Sequence, residues 1–421
     1  MDATVFYRFE QGFSMVPVYF WLPALGCLGM GFMFLNVSAV AEQFRLLFDL
    51  NYAWLGVFLS APFWAHTLVQ VPAGLIVDRL GTLRALVLSC VLCAAACFVP
   101  LLAPHSLWLA VVMRLIVGLA TGLLFLAVVS AVKLLCPPVY MSRAQGLQGA
   151  AFSLGTMVPF VLLPWFGGFG WAAAYALGGL LPVVLLVLLV VTPLAPLRQE
   201  SAAASLSLKE LLAVLGRVAH NRRLWYIGCC HGFSFGTITA LGNWLTVMLA
   251  DSSKASGQVV AGSGGGAVAA WSLATSMVLL AGTFARVAGG ELGRTMPKPR
   301  LLALLVAGIG LFYLLVALAC SSWVSNVWML LGFALPLAMC CGGTYATVFT
   351  LTIEVAGARQ TATAIGFMSM LANCVNVALI LLMGVVRQYA GGFAPAMCLV
   401  GLSVWALILW GRKIDWRSRQ K

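Results

Sequence analysis

The sequence predicts an all-α membrane protein: twelve transmembrane helices in two pseudo-symmetric six-helix bundles. Three observations carry that expectation. Hydrophobic residues make up 62% of the 421-residue chain and charged residues only 8%, against about 25% charge in a soluble domain. The apolar residues fall into runs of roughly the 20 residues that span a bilayer, parted by short polar gaps. The second half of the chain also repeats spacings of the first. Lipid cannot satisfy backbone polar groups, so such runs must be helices or closed-barrel strands. Their length and lack of alternation select helices.

In chain order the segments are 17–40, 53–75, 85–103, 106–132, 146–166, 171–193, 224–250, 267–290, 301–320, 323–352, 362–386 and 393–411. Only Ser321 and Ser322 part segments 9 and 10, which predicts a tight turn. An even number of spans puts both termini on one side. Of the 24 Lys and Arg, three (Arg45, Lys254, Arg387) fall on the far side, Arg114 and Arg286 lie inside segments 4 and 8, and the remaining nineteen share the side of the termini. Positive charge is retained in the cytoplasm, so both termini are expected there. This distribution also sets nucleic acid aside as the reason for the net charge of +13.

The gap at 194–223 divides the chain into bundles at 1–193 and 224–411, with a basic cytoplasmic tail at 412–421. Within it, Ser207 to Leu215 reads as a capped amphipathic helix on the membrane surface. The halves echo each other. Trp108 and Gly122 recur as Trp328 and Gly342, and Ala144-Gln145-Gly146 recurs as Ala364-Ile365-Gly366, both 220 residues on. Gln70 with Gly74 recurs as Arg286 with Gly290, 216 residues on. Paired repeats joined by a linker are a transporter architecture, with the solute site between repeats near the midplane.

The polar stretch Gly74-Leu75-Ile76-Val77-Asp78-Arg79-Leu80-Gly81-Thr82-Leu83-Arg84 joins segments 2 and 3. Its pattern, Gly-x-x-x-Asp-Arg-x-Gly-x-x-Arg, resembles the signature loop of the major facilitator superfamily. Arg114-x-x-x-Gly118-x-x-x-Gly122 in segment 4 and the twelve spans extend the resemblance over nearly the whole chain. The resemblance implies a gate: Asp78 caps the start of the eleventh helix near Gln360 and Thr361, with Gly74, Arg79, Gly81 and Arg84 completing the motif. A carboxylate at a helix N-terminus is favoured by about 0.3–1 kcal/mol. The second half departs from the pattern, since Glu291-Leu292-Gly293-Arg294 follows Gly290 without an Asp-Arg pair.

Ionisable groups inside spans carry the functional reading. An Arg at a helix centre costs about 2.5–3.5 kcal/mol on insertion scales, so it faces a partner or a wet cavity. No acid lies in the interior of a span; Glu42, Glu291 and Glu354 are all near ends. Two readings of Arg286 stand, an anion ligand or a structural pairing with hydroxyls, carbonyls or end groups. Arg114 shares the ambiguity, because its glycine spacing is also a helix-packing pattern. Segments 8 and 10 resemble the nitrate/nitrite porter branch, which implies an anion-binding role for Arg286. That branch has a second Arg where this chain has Gln70, so a larger anion such as a carboxylate, held by Arg286 and neutral donors, is expected. Tyr345, Asn373 and His231 complete the candidate set, beside Asn36, His66, Asn243, Thr344 and Asn376. A proton-coupled mechanism would need His66 or His231 as carrier; the alternative is a His bonded to a backbone carbonyl.

Other features lead away from chemistry. Cys90, Cys93 and Cys97 share a helix face without His or carboxylate and read as small buried hydrophobes. Gly262 to Gly266 lacks the Lys of a phosphate loop and reads as a flexible connector. The first sixteen residues, with one Arg and two acids, do not resemble a cleaved signal peptide. No nucleophile–base pair, metal cluster or nucleotide motif is present, so neither enzyme, metal nor cofactor is expected. The resemblance and Arg286 together imply a secondary transporter of a small anion, working by alternating access in the cytoplasmic (inner) membrane, with a monomer as the default. A multidrug or metabolite exporter is one alternative, and a transporter-like scaffold or sensor another.

Overall fold

The computed structural model describes residues 16–136, 141–192, 194, 197, 216, 218–256, 265–321, 323–356, 361–414 and 416. Twelve helices of 18 residues or more follow in order: α1 Val16–Ala39, α2 Tyr52–Leu80, α3 Thr82–Leu102, α4 Leu107–Leu135, α5 Met141–Leu162, α6 Gly170–Val191, α7 Arg222–Ser256, α8 Gly265–Thr295, α9 Lys298–Ala319, α10 Val327–Ala356, α11 Thr361–Ala390 and α12 Ala394–Gly411. A short helix, Ala41–Leu47, precedes α2, and a 3-10 turn, Leu163–Phe169, links α5 to α6. Among the described residues ten stretches are long and apolar enough to cross a membrane, and the bent pair Ala41–Leu47 with Tyr52–Gln70 makes an eleventh. One of the ten, Leu147–Val191, holds both α5 and α6.

The helices pack in two matching sets. In the first, α1 lies on α5, α2 on α4, and α3 on α4 and α6; in the second, α7 lies on α11, α8 on α10, and α9 on α10 and α12. Across the middle, α2 meets α11 and α5 meets α8, again as counterparts. Glycine makes these contacts close. A Cβ at Gly122 of α4 would strike the Val69 side chain of α2, and one at Gly342 of α10 would strike the Gly282 carbonyl of α8. The repeated glycines found in the sequence thus do the same packing in both sets, as small residues do between membrane helices.

Exposed aromatic rings mark two belts of the kind that sit at membrane–water boundaries. Trp54, Trp108, Trp165, Trp323, Trp328 and Tyr389 ring one end; Trp21, Trp225 and Trp410 lie at the other. The start of the tail folds back, with Trp416 and Trp410 both edge-on to Tyr226 at the head of α7.

One expectation, the two-residue turn after segment 9, needs correction. The polar stretch between segments 2 and 3 is compact: α2 continues to Leu80, and the whole turn is Gly81. Its φ of 81° is one that glycine adopts without a Cβ penalty, and its N–H still bonds the Val77 carbonyl at 2.9 Å. The turn after α9 is longer than two serines, because Asn326 sets the start of α10 by accepting from the N–H groups of Trp328 and Met329, both at 3.0 Å. The expected surface helix at 207–215, Gly262 to Gly264, Gln360 and the side chains of Asp78 and Thr361 lie outside the described residues.

Candidate functional site

Arg286 lies on α8, one turn beyond Gly282, and the acid that follows it on the helix, Glu291, pairs with Arg294. Arg286 borders a narrow gap between the two helix sets, where α1 and α5 face α7 and α8. Leu35, Phe152, Phe235, Ile238 and Leu279 supply the apolar wall. Among the described residues, Arg286 is the one charged group in the lining; the other polar groups are the hydroxyls of Ser153, Thr156, Thr239 and Thr283.

The guanidinium is held by a ring and not by an acid. Its central carbon lies 4.6 Å from the centroid of Tyr345 on α10. Among the described residues no hydrogen bond or ion pair to Arg286 is formed. Tyr345 is backed by Phe349 at 4.7 Å, and His231 of α7 meets both rings edge-on, at 6.3 and 5.5 Å. The planar face of the cation is therefore occupied by a π-system, while its donor edge carries no protein acceptor. Such a group can offer a two-pronged donor fork to a carboxylate.

The counterpart in the first set is a hydrogen-bonded chain. Thr121 gives its hydrogen to the Gly118 carbonyl at 3.1 Å, so its oxygen accepts from Nδ1–H of His66 at 3.2 Å. His66 Nε2 then accepts from the Gln70 amide at 3.0 Å. This network assigns a neutral imidazole with its hydrogen on Nδ1.

Of the six residues proposed from sequence for the solute, Arg286 alone lines the space, with Tyr345 and His231 around it. Gln70 does not meet Arg286; it turns to His66 on its own helix, four residues back. Arg114 is fully buried on α4 and donates to the Met33 carbonyl at 2.9 Å and to Asn36 at 3.4 Å, so it faces α1. Asn373 donates to the Ser369 carbonyl of its own helix at 2.9 Å. The four lining hydroxyls were not singled out from sequence, since Ser and Thr in apolar helices read as packing groups. The one signal was spacing: Ser153 and Thr156, three apart, share a face.

The two sets touch firmly at the end that carries Tyr52 and Arg387. The Tyr52 N–H of α2 donates to Gln388 of α11 at 3.0 Å, and the Arg387 guanidinium stacks over the Tyr52 ring at 4.7 Å. Asp251 of α7 orients Arg387 through a 2.7 Å ion pair. Ser38 of α1 donates to Asn243 of α7 at 2.6 Å. At the other end of α2, Arg79 and Arg84 are exposed and Gly74 is partly buried.

Comparison with known proteins agrees with this architecture. "Probable anion transporter 6" of Oryza sativa subsp. japonica is 36% identical over 114 residues, 27% of either chain. "Probable anion transporter 5" of Arabidopsis thaliana is 33% identical over 115 residues, again 27% of each. The match thus spans about a quarter of those relatives. The xylose transporter XylE from E. coli, in an inward open conformation, superposes with a TM-score of 0.73 at 14% identity, over 96% of this chain and 97% of that one. A bacterial homolog to the human lysosomal transporter Spinster, inward-facing and occupied, gives 0.74 at 13% identity over 95% and 97%. A sequence model described as Major Facilitator Superfamily matches residues 21–380. Spanning that much of the chain, the match establishes that the protein belongs to the Major Facilitator Superfamily.

Proposed function

We propose that the protein is a secondary transporter that moves a small anionic solute across the cytoplasmic membrane by alternating access. The observation that carries this is Arg286, a cation inside the membrane whose donor edge borders the space between the two helix sets and meets no acid. Burying an uncompensated charge is costly, and an anionic solute supplies the missing partner. In this reading residues 1–193 and 224–411 rock as two units about the site, joined by the linker 194–223 and followed by the basic tail 412–421. The charge bias puts both termini in the cytoplasm and the Tyr52–Arg387 end outside. Asp78, Arg79 and Arg84, with Gly74 and Gly81, then serve the cytoplasmic gate. Tyr345 and His231 hold the guanidinium flat against the cavity wall. The quarter-length matches to proteins named as anion transporters support the choice of charge.

The test is binding by purified protein. A cognate organic anion raises the melting temperature by mass action, and Arg286→Gln should fold normally, with an unchanged or higher melting point, yet lose that shift. One lost charge-assisted hydrogen bond is worth roughly 1.5–3 kcal/mol, or about ten- to a hundredfold in affinity. Arg286→Lys should recover only part of it, lacking the planar fork. An unstable Arg286→Gln that binds as the parent does would make this residue a structural pin.

A further inference from the structure

The hydroxyls around Arg286 have all spent their hydrogens. Ser153 donates to the Gly149 carbonyl at 3.1 Å and Thr156 to the Ser153 carbonyl at 2.7 Å, both within α5. Thr283 donates to the Leu279 carbonyl of α8 at 3.0 Å. Thr239 shares its hydrogen among the Phe235 and Gly236 carbonyls of α7, at 3.1 and 3.0 Å, and the side-chain oxygen of Asn376. A hydroxyl has one hydrogen and two acceptor sites. Each of these four oxygens therefore presents lone pairs, and no hydrogen, to the space that it lines. Asn376 is fully buried and does not line it. The site has one donor fork, at Arg286, and an otherwise acceptor-only polar wall.

That polarity selects among anions. Nitrate and sulfate are ringed by acceptors and need donors on every side; phosphate keeps one or two O–H donors at neutral pH, but its dianion adds a second negative charge. Here, beyond Arg286, nitrate and sulfate would meet oxygen lone pairs or apolar rings. A second negative charge would also have no cation. A solute with one carboxylate and several O–H donors satisfies both parts: the carboxylate on Arg286, its hydroxyls on Ser153, Thr156, Thr239 and Thr283. An ammonium donor would stand beside the Arg286 charge, so hydroxyl is the donor that fits. We propose, resting on the anion reading above, that the transported solute is a hydroxylated monocarboxylate and not an inorganic or fully deoxygenated anion.

The test uses full-length purified protein and two matched series: propionate, lactate and glycerate; hexanoate and gluconate. Nitrate and inorganic phosphate are run alongside. Dissociation constants come from calorimetry or from concentration-dependent melting shifts. The hydroxylated member of at least one series should bind tenfold or more tighter than its deoxy partner, and tighter than nitrate or phosphate. A site built to bond a hydroxyl rejects the analogue that lacks it, because its own polar groups are left unpaired. Thr283→Val and Thr239→Val should each weaken the hydroxy acid about tenfold, toward the affinity of the deoxy acid; Ser153→Ala serves if either valine variant fails to fold. Equal binding of matched partners, preference for nitrate or phosphate, an unmoved gap in the variants, or no binding of either series would overturn the assignment. Arg286→Gln separates the two levels. If binding without hydroxyl preference still depends on Arg286, only the solute class falls. If it does not depend on Arg286, the anion reading falls as well.

Discussion

The contacts at the Tyr52 end fall into two kinds, and they should respond differently to mutation. Asp251 and Arg387 form an ion pair at 2.7 Å with side chains 29% and 19% exposed, but both belong to the second helix set. If the sets rock as units, that pair survives opening and drops out of the open–closed equilibrium. The stack of Arg387 on Tyr52 crosses between sets and must break when this end opens. A cation over a ring is worth about 0.5–1 kcal/mol when exposed and about 2 when desolvated. For this half-buried ring about 1 kcal/mol is reasonable, or roughly a fivefold change in the equilibrium. Tyr52→Leu should therefore raise the rate at which an impermeant thiol reagent, added from that side, reaches a cysteine placed at Ser153 about fivefold. The assay needs a background with the native cysteines replaced. Asp251→Asn should leave that rate within twofold and lower the melting temperature instead, since it leaves a partly buried guanidinium with the Gly391 carbonyl and the ring. If Asp251→Asn opens the end more than Tyr52→Leu does, the helix sets do not move as units and the reasoning fails.

Two further outcomes follow from the packing and the gate. Gly342→Ala drives a methyl group into the Gly282 backbone carbonyl, which has no side chain to yield; it should abolish a monodisperse peak in size-exclusion chromatography, whereas Gly366→Ala, with open space around it, should not. Asp78→Asn should leave insertion and melting nearly intact while cutting transport in vesicles, and transport at the parent rate would remove the cytoplasmic lock.

The helical class, the repeat and the belonging of glycines to helix contacts were legible because each depends on local composition and period. The site was legible only in part. Arg286 stands out in any reading, as an uncompensated cation in an apolar run. Equivalence in the repeat does not bring Gln70 to Arg286: equivalent residues sit in their own helix sets, and the i,i+4 geometry of α2 gives Gln70 a nearer partner in His66. The wall of hydroxyls was invisible for a related reason. Which of many Ser and Thr residues line a space depends on how α5, α7 and α8 rotate about their axes, and apolar helices carry little amphipathic signal to fix that. Likewise the length of the turn into α10 was set by one Asn side chain, which no hydropathy window registers.

The two intramembrane arginines look alike in sequence and each lies over an aromatic ring, but among the described residues only Arg114 is hydrogen-bonded to a neighbouring helix, which gives the most direct separation of binding from architecture. Arg114 is 1% exposed, and its Nη1 donates to Met33 and Asn36. Its Nε and Nη2 have no protein partner, so three of five donor hydrogens are idle and no acid balances the charge among the described residues. Removing it gives up two hydrogen bonds, one of them long at 3.4 Å. It relieves the burial of a cation, a trade in which an apolar residue of similar length often matches or exceeds the charged one. Arg114→Met should then keep or raise the melting temperature, and since Arg114 does not border the solute space, affinity for the Arg286-dependent anion should stay within about threefold. Calorimetry on Arg114→Met and Arg286→Gln in parallel reads both. Should Arg114→Met lose binding as fully as Arg286→Gln, the solute must reach α4 in a second arrangement of the helices, and a site centred on α8 alone would be untenable.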